Sequence, residues 1–271
     1  MFHIGGCASC HEQTGHEQTT KQPDTLEPDT PEPEEVLPLL SGGKRFETEF
    51  GTFIAPNISP DRGTGIGAWT AAEFATSLLK GVSPSGEHYY PAFPYTSYAR
   101  MSLQDTVDLK TFIDGLPPVS RSNERHQLRF PFSIRRGLGL WKKLYLSDQP
   151  IINFSKHSAE LTRGQYLVEG LGHCGECHSP RNVAGGIQKK RWLAGAPELD
   201  GNGGVPNITP GGSGIADWEK ADIAEYLSSG FTPEYDVVGG SMADVVDNTA
   251  HLSRADRLAI AAYLKAIPAR Q

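Results

Sequence analysis

CASCH at residues 7–11 and CGECH at residues 174–178 are two copies of one pattern, C-x-x-C-H. Together they contain all four cysteines of the 271-residue chain, so no cysteine is left for a disulfide or a sulfur ligand elsewhere. Cysteine pairs at this spacing serve three chemistries: a zinc site, a dithiol redox site and covalent attachment of haem. The surrounding sequence has to distinguish between them.

The two motifs belong to a longer internal repeat. The segment APNISPDRGTGIGAW (55–69) after the first motif matches VPNITPGGSGIADW (205–218) after the second. Each half then closes with apolar residues at i, i+3, i+4 and i+7, the pattern of an amphipathic helix. These residues are Leu109, Phe112, Ile113 and Leu116 in the first half, and Ile260, Tyr263, Leu264 and Ile267 in the second. The shared order of motif, loop and helix predicts a duplicated domain.

Helix-capping residues indicate that both halves are mainly helical. Ser102 and Ser253 precede the two closing helices at positions typical of an N-cap. Thr70 and Thr162 each lie three residues before a glutamate or glutamine, which is the spacing of a capping box. We therefore expect short helices joined by long loops.

Charge and composition exclude several classes of protein. The formal net charge of −7 argues against a nucleic-acid partner. No apolar run approaches the ~20 residues of a transmembrane helix. An acidic, proline-rich insertion at residues 12–38 interrupts the repeat and is expected to be solvated.

A basic linker at residues 121–157 separates the two halves. It contains FPFSIRRGLGLWKKLYL (130–146), which is too apolar for a free tether and predicts packing against one or both halves. Its basic side chains, Arg135 and Lys142 among them, are candidates for docking a partner protein. The alternative is that they serve only structural packing.

The C-x-x-C-H spacing favours c-type haem over the other two chemistries. Each thiol forms a thioether with one porphyrin vinyl group, and the adjacent histidine becomes the proximal iron ligand. A structural zinc site needs four ligands in one place, whereas these pairs fall in different halves. A dithiol motif belongs in a strand–helix context that this repeat lacks. We expect two haem c groups, held by Cys7, Cys10 and His11 and by Cys174, Cys177 and His178.

Methionine usage indicates the sixth iron ligand. Apart from Met1, the chain contains only Met101 and Met242, and each lies between the middle and the closing helix of its half. One methionine at the same point of each repeat favours iron ligation over core packing and predicts equivalent positions. His88 and His251 are the alternative ligands.

Five further residues are candidates for haem contacts. The carbonyls of Pro56 and Pro206 are expected to accept the Nδ1 proton of the two motif histidines. Trp69 and Trp218 are placed to touch a haem edge or propionate, with core packing as the alternative. Arg181 is a candidate for pairing with a propionate, with a solvated loop arginine as the alternative.

Four segments carry a family resemblance: FETEFGTFIAPNISPDRGTGIGAW (46–69), YPAFPYTSYARMS (90–102), LVEGLGHCGECHSPRN (167–182) and GGSMADVV (239–246). Through them most of the chain resembles the multihaem cytochrome c subunits of bacterial membrane-bound alcohol, gluconate and related dehydrogenases. In that family each domain is a small helical cytochrome c fold with His/Met-ligated iron. The resemblance implies an all-α fold of two tandem cytochrome c-type domains, 1–120 and 158–271, joined by a partly structured linker.

The resemblance implies electron transfer, with no side chain performing bond chemistry. The expected donor is a quinoprotein or flavoprotein dehydrogenase, and the expected acceptor is another cytochrome, an oxidase or the quinone pool. The family's subunits commonly carry a third haem domain and a C-terminal membrane anchor, so membrane association is expected here only through a partner.

The alternatives are a di-haem peroxidase, a di-haem thiosulfate dehydrogenase or a haem-based gas sensor. A peroxidase and a sensor need an open iron, and thiosulfate oxidation of the familiar kind uses a cysteine ligand. Here each half contains a methionine that could ligate its iron, and all four cysteines belong to the two motifs.

The first motif lies unusually close to the start of the sequence. Aligning Cys7 with Cys174 places Met1 opposite Val168, so the helix expected before the first motif is cut short. Haem attachment to C-x-x-C-H in bacteria takes place outside the cytoplasm. The expected location is therefore the periplasm, with an export signal that once preceded this segment.

Overall fold

A computed structural model describes residues 1–12, 39–156, 158–197 and 204–270. Beyond Glu12, the acidic insertion lies outside the described residues, as does the end of the linker at His157. Within the described ranges, no helix is long and apolar enough to cross a membrane.

The described chain is mostly helical, with a few short strands. A π-helical turn, Leu167–Leu171, continues the sixth helix. The helices are α1 (Cys7–His11), α2 (Ala71–Lys80), α3 (Tyr95–Tyr98), α4 (Leu103–Asp114), α5 (Leu138–Tyr145), α6 (Ala159–Tyr166), α7 (Gly175–His178), α8 (Lys220–Ser229), α9 (Met242–Ala250) and α10 (Arg254–Ala266).

Three of the four helix starts expected from the sequence are confirmed. The Ser102 hydroxyl accepts the Asp105 amide at the start of α4, and Ser253 caps α10 in the same way. Thr70 forms the expected capping box at α2. The start at Thr162 is wrong, because α6 already begins at Ala159 and Ser158 caps it. A hydroxyl one turn earlier takes the role that Thr162 was expected to fill.

The closing helices bury the apolar faces that the sequence predicts, with one exception. All four predicted residues on and beside α10 are buried, as are Leu109, Ile113 and Leu116 on and beside α4. Phe112 was expected in the core, but it is 46% exposed. Its ring packs against Phe2 at 4.9 Å between centroids.

The described chain is mostly helical, as expected, and also contains two small antiparallel sheets. The first contains β1 (Arg45–Thr48), β2 (Gly51–Ile54) and β3 (Gln127–Leu128) in that order. The second pairs β4 (Ala196–Pro197) with β5 (Gly204–Val205). Gly51 has a φ of 121° at the turn between β1 and β2, a conformation that favours glycine. Aromatic and threonine side chains on both sides of this turn suit a hairpin.

The basic linker packs against both halves of the chain. Trp141 Nε1 donates to the Ala184 carbonyl of the second half, whereas the contacts of β3, Lys142 and Arg135 are with the first half. Its β3 extends the sheet of β1 and β2. Lys142 is buried, and its Nζ donates to the carbonyls of Lys80 and Gly81 at the end of α2. The Arg135 guanidinium lies over the ring of Tyr90. Structural packing, the alternative to partner docking, therefore describes both Arg135 and Lys142.

The core is continuous between the two halves. Phe2, Ile4 and Tyr98 from the first half belong to the same hydrophobic cluster as Leu171 and Trp192 from the second. The motif helices α1 and α7 lie beside this shared core, since Cys7 and Cys174 pack against it.

Candidate haem centres

Each C-x-x-C-H motif folds into a short helix, α1 or α7. Helical residues three apart lie on one face, so both thiols of a pair point to the same side. The first cysteine of each pair is half-buried and the second is exposed, and the four cysteines form no disulfide bond. Both motifs thus present two thiols and a histidine in the same way.

Matching hydrogen bonds hold the two motif histidines. His11 Nδ1 lies 2.8 Å from the carbonyl oxygen of Pro56, and His178 Nδ1 lies 2.8 Å from that of Pro206. A carbonyl accepts only from a protonated nitrogen, so each contact fixes the proton on Nδ1 and leaves Nε2 as the available ligand. The contacts expected for Pro56 and Pro206 are present in both halves.

A glycine holds each motif against its proline loop. The Gly42 amide donates to the His11 carbonyl at 2.6 Å, and the Gly195 amide donates to the His178 carbonyl at 2.8 Å. Both glycines have a positive φ, and a Cβ at Gly42 would lie 2.4 Å from the Pro56 carbonyl oxygen. Sequence reasoning missed these two residues, although each precedes the repeated Pro-Asn-Ile segment at a similar distance.

Two buried asparagines brace the proline loops and were also missed. Asn57 Oδ1 accepts the Ser59 amide, and its Nδ2 donates to the carbonyl of Val119. Asn207 makes the corresponding pair of bonds, to Thr209 and to the Arg270 carbonyl. The shared Asn of the two Pro-Asn-Ile segments was the available signal.

The protonation of the motif side chains fits haem c. Burial lowers the pKa of His11 and His178, so both imidazoles are neutral, the form that binds a metal. Burial raises the pKa of the Cys7 and Cys174 thiols to about 12. Protonated thiols are the form that adds to a porphyrin vinyl group when haem c is attached. Among the described residues, no cluster of three or more His, Cys, Asp or Glu could hold a metal ion.

The two methionines do not occupy equivalent positions, contrary to expectation. Met101 is buried and directly precedes Ser102, the cap of α4. Met242 is half-buried and begins α9, so a whole helix separates it from Ser253. Met101 follows the four-residue helix α3, whereas Met242 is the first residue of the nine-residue helix α9.

A chain of contacts ties Met101 to the first motif. The Met101 amide donates to the Tyr98 carbonyl at 2.8 Å. The Tyr98 hydroxyl in turn donates to the carbonyl of Gly5 at 2.9 Å, two residues before Cys7.

The two histidines considered as alternative iron ligands, His88 and His251, contact other parts of the protein. His88 forms a β-bridge with Val82, and its imidazole faces Gly139 of α5, where an added Cβ would lie 2.9 Å from Nε2. The His251 ring stacks on His3 at 3.9 Å between centroids.

The remaining candidate residues have structural partners. Trp69 and Trp218 are half-buried and pack against the core. Arg181 is not a solvated loop arginine, since it forms an ion pair with Glu176 at 2.5 Å and donates to the Gly185 carbonyl.

Trp192 contacts the second motif, and sequence reasoning missed it. Its ring packs so closely on Gly175, inside the motif, that a Cβ there would lie 1.9 Å from a ring carbon. Its Nε1 donates to the Tyr263 hydroxyl, which donates to the buried Glu169 carboxylate. Nothing in the sequence pairs Trp192 with Gly175.

Comparison with known proteins agrees with the chemistry of the motifs. No protein-family profile matches the chain. It is 53% identical over 269 residues to a diheme cytochrome c-type protein of Cereibacter sphaeroides, covering 99% of the chain and 84% of that protein. It is 37% identical to the fructose dehydrogenase cytochrome subunit of Gluconobacter japonicus and to the alcohol dehydrogenase (quinone) cytochrome c subunit of Gluconobacter oxydans. These two matches include 84–85% of the chain. The matched region is 48% of the length of the first relative and 50% of the length of the second.

Proposed function

Because the chain belongs to the family of di-haem c-type cytochromes, we propose that it carries electrons from a dehydrogenase to a downstream acceptor. The matching histidine–carbonyl contacts in the two halves, His11 with Pro56 and His178 with Pro206, carry this proposal. They indicate that both motifs are built for the same ligation, as expected of two similar redox centres.

The residues of each motif have separate tasks in this function. The cysteines would anchor the haem covalently, and the histidine would offer Nε2 as an iron ligand. The proline carbonyl orients the imidazole and raises its basicity. Haem c supplies an iron that accepts or releases one electron. The chain thus has only to hold, orient and shield its two redox centres.

Met101 and Met242 are the proposed sixth ligands. Burial of Met101 and its link through Tyr98 to Gly5 support the first assignment. Met242 is supported by its half-buried position against the shared core. A second protein ligand fills the iron's coordination, so such a centre moves electrons and binds small molecules poorly.

The proposed donor is a quinoprotein or flavoprotein dehydrogenase, and the proposed acceptor is another cytochrome, an oxidase or the quinone pool. Similarity to cytochrome subunits named for fructose and alcohol dehydrogenases supports the donor class. The proposed location is the periplasm, where c-type haem is attached.

Stepwise reduction and reoxidation of the full-length holoprotein test the proposal. We expect a quinoprotein alcohol dehydrogenase or a flavoprotein gluconate dehydrogenase, supplied with its substrate, to reduce both haems. An oxidised c-type cytochrome should then reoxidise them. Failure of both classes of dehydrogenase to reduce the protein would contradict the proposal. Peroxide turnover without a protein partner would favour a di-haem enzyme instead.

A further inference from the structure

Each haem-attachment motif forms a hydrogen bond to the opposite half of the chain. Asn248 Nδ2, in α9, donates to Ser9 Oγ in the first motif at 2.7 Å. In the opposite direction, Ser97 Oγ and Thr96 Oγ1 of α3 donate to Glu176 Oε1 in the second motif, both at 2.8 Å. Ser9 and Glu176 are each the third residue of C-x-x-C-H, so both motifs reach across from the same position.

The residues that receive these contacts are equivalent as well. Asn248 lies five residues before Ser253, the cap of α10, and Ser97 lies five residues before Ser102, the cap of α4. The two contacts therefore map onto each other when the halves are exchanged. Such reciprocity is the property of a two-fold interface.

A second pair of contacts obeys the same relation. The rings of His3 and His251 stack at 3.9 Å. The matching contact joins Gly170 of the second half to Arg100 of the first half. These residues lie so close that a Cβ added to Gly170 would be 3.6 Å from the Cβ of Arg100. His3 and Gly170 each lie four residues before the first cysteine of a motif, and His251 and Arg100 each lie two residues before a helix cap. Two independent pairs of contacts thus indicate the same symmetry.

Of the two hydrogen-bonded contacts, the one at Glu176 is more deeply buried than the one between Ser9 and Asn248. Glu176 is 8% exposed and Ser97 is 2% exposed. Arg181 balances the charge of the carboxylate at 2.5 Å. Separating this buried carboxylate from its partners would leave polar groups without hydrogen bonds, which costs free energy. This contact therefore resists separation of the two halves.

We infer that the two halves meet across a pseudo-two-fold interface, and that Glu176 and Asn248 are positioning residues that hold the two haem groups in one fixed arrangement. The inference rests on the proposed function for its purpose. A fixed arrangement would let the haem irons held by His11 and His178 exchange one electron inside a single chain, one iron being oxidised as the other is reduced. The chain then acts as one two-centre relay instead of two tethered carriers.

The distance between the two irons tests this inference in the ferric, full-length holoprotein. Dipolar coupling in pulsed EPR reports that distance and its spread without any electron donor. We expect one narrow distribution for the parent protein. Glu176→Lys, which opposes Arg181, should broaden it, whereas Glu176→Gln keeps an oxygen acceptor for Thr96 and Ser97 and should leave it narrow.

Amide hydrogen exchange at residues 96–100 supplies a second measurement. We expect these amides to exchange about tenfold faster in Glu176→Lys, because local unfolding of this segment no longer has to break the hydrogen bonds to the carboxylate. Glu176→Gln should restore slow exchange.

A variant at the symmetry-related contact covers the case in which Glu176→Lys does not fold. Asn248→Ala should also broaden the iron–iron distribution, while Asp247→Ala, at an exposed neighbour on α9, should not. An unchanged distribution in Asn248→Ala, or in a folded Glu176→Lys, would overturn the inference. If distances respond as expected but no dehydrogenase reduces the protein, the interface stands and the proposed function fails.

Discussion

Gly175 and Trp192 show how a single pair of residues shapes one of the two motifs. The corresponding positions in the first half are Ala8, inside the motif, and Leu39, three residues before Gly42 as Trp192 is before Gly195. The second motif thus has glycine at a position where the first has alanine, and the Trp192 ring occupies the space that an alanine Cβ would need.

Gly175→Ala is expected to prevent the second motif from packing, because its Cβ would lie 1.9 Å from the Trp192 ring. Overpacking of this kind costs about 1–3 kcal/mol, with larger losses where nothing can move. The pyridine haemochrome assay should show the haem content falling from two groups per chain towards one. Thermal unfolding should show a lower midpoint.

A double-mutant cycle separates this clash from a general intolerance of the motif. In a Trp192→Leu background, Gly175→Ala should add little further loss, giving a coupling energy of about 1 kcal/mol or more. Ala8→Gly in the first motif is the matched control and should leave haem content at two. Additive losses in the cycle would contradict the packing explanation.

At the level of elements, the contact between α6 and α10 depends on close approach and on one ion pair. A Cβ on Gly164 of α6 would lie 1.9 Å from the Ala259 carbonyl oxygen, so glycine lets the two helices touch. Arg163 then forms a bidentate pair with Asp256, at 2.7 and 3.1 Å. This pair lowers the pKa of the Asp256 carboxyl.

The lowered pKa of Asp256 predicts a pH-dependent contribution to stability. A carboxyl whose pKa falls on folding stabilises the protein above its unfolded pKa, about 3.9, and loses that contribution as pH falls through the folded pKa. Asp256→Asn should therefore cost about 0.5–1 kcal/mol at pH 7, a small value because Arg163 is partly exposed. The difference from the parent protein should shrink below pH ~4.

Urea unfolding at several pH values measures this effect. Asp247→Asn, at an exposed position of α9, is the control and should show no comparable trend. A constant difference between Asp256→Asn and the parent at all pH values would show that the ion pair does not contribute.

The linker helix α5 gives a second prediction at this scale. Lys142 Nζ donates to two carbonyls at the end of α2, and burial lowers its pKa. Lys142→Met keeps the length of the side chain but leaves those carbonyls without this donor, so we expect a loss of about 1–3 kcal/mol. Lys143→Met, at the exposed neighbouring position, should stay within about 0.5 kcal/mol of the parent. Equal unfolding midpoints would contradict this role.

At the scale of the whole molecule, the structural features that occur in both halves are predictable from the sequence, whereas those that differ between the halves are not. The closing helices α4 and α10 and their serine caps follow from periodicity and local hydrogen bonding. The histidine–proline contacts follow from the chemistry of a ligating imidazole. These features depend on residues that occur in both halves.

Features that depend on long-range packing were not predictable in the same way. Strand β3 forms because linker residues reach the hairpin of β1 and β2, and Lys142 is buried because its helix covers the end of α2. Met101 follows α3 whereas Met242 begins α9, and the repeat in the sequence does not show this difference. A single sequence does not show which distant segments meet, so it leaves partner docking and structural packing of the basic linker as open alternatives.

Spectroscopy of the ferric holoprotein tests the proposed ligation most directly. We predict two haem c groups per chain, both low-spin, with a methionine-to-iron charge-transfer band for each. Met101→Leu and Met242→Leu should each remove half of that band, and together they should abolish it. A high-spin haem in the parent protein, or a full band remaining in either single variant, would contradict the assignment of two His/Met electron-transfer centres.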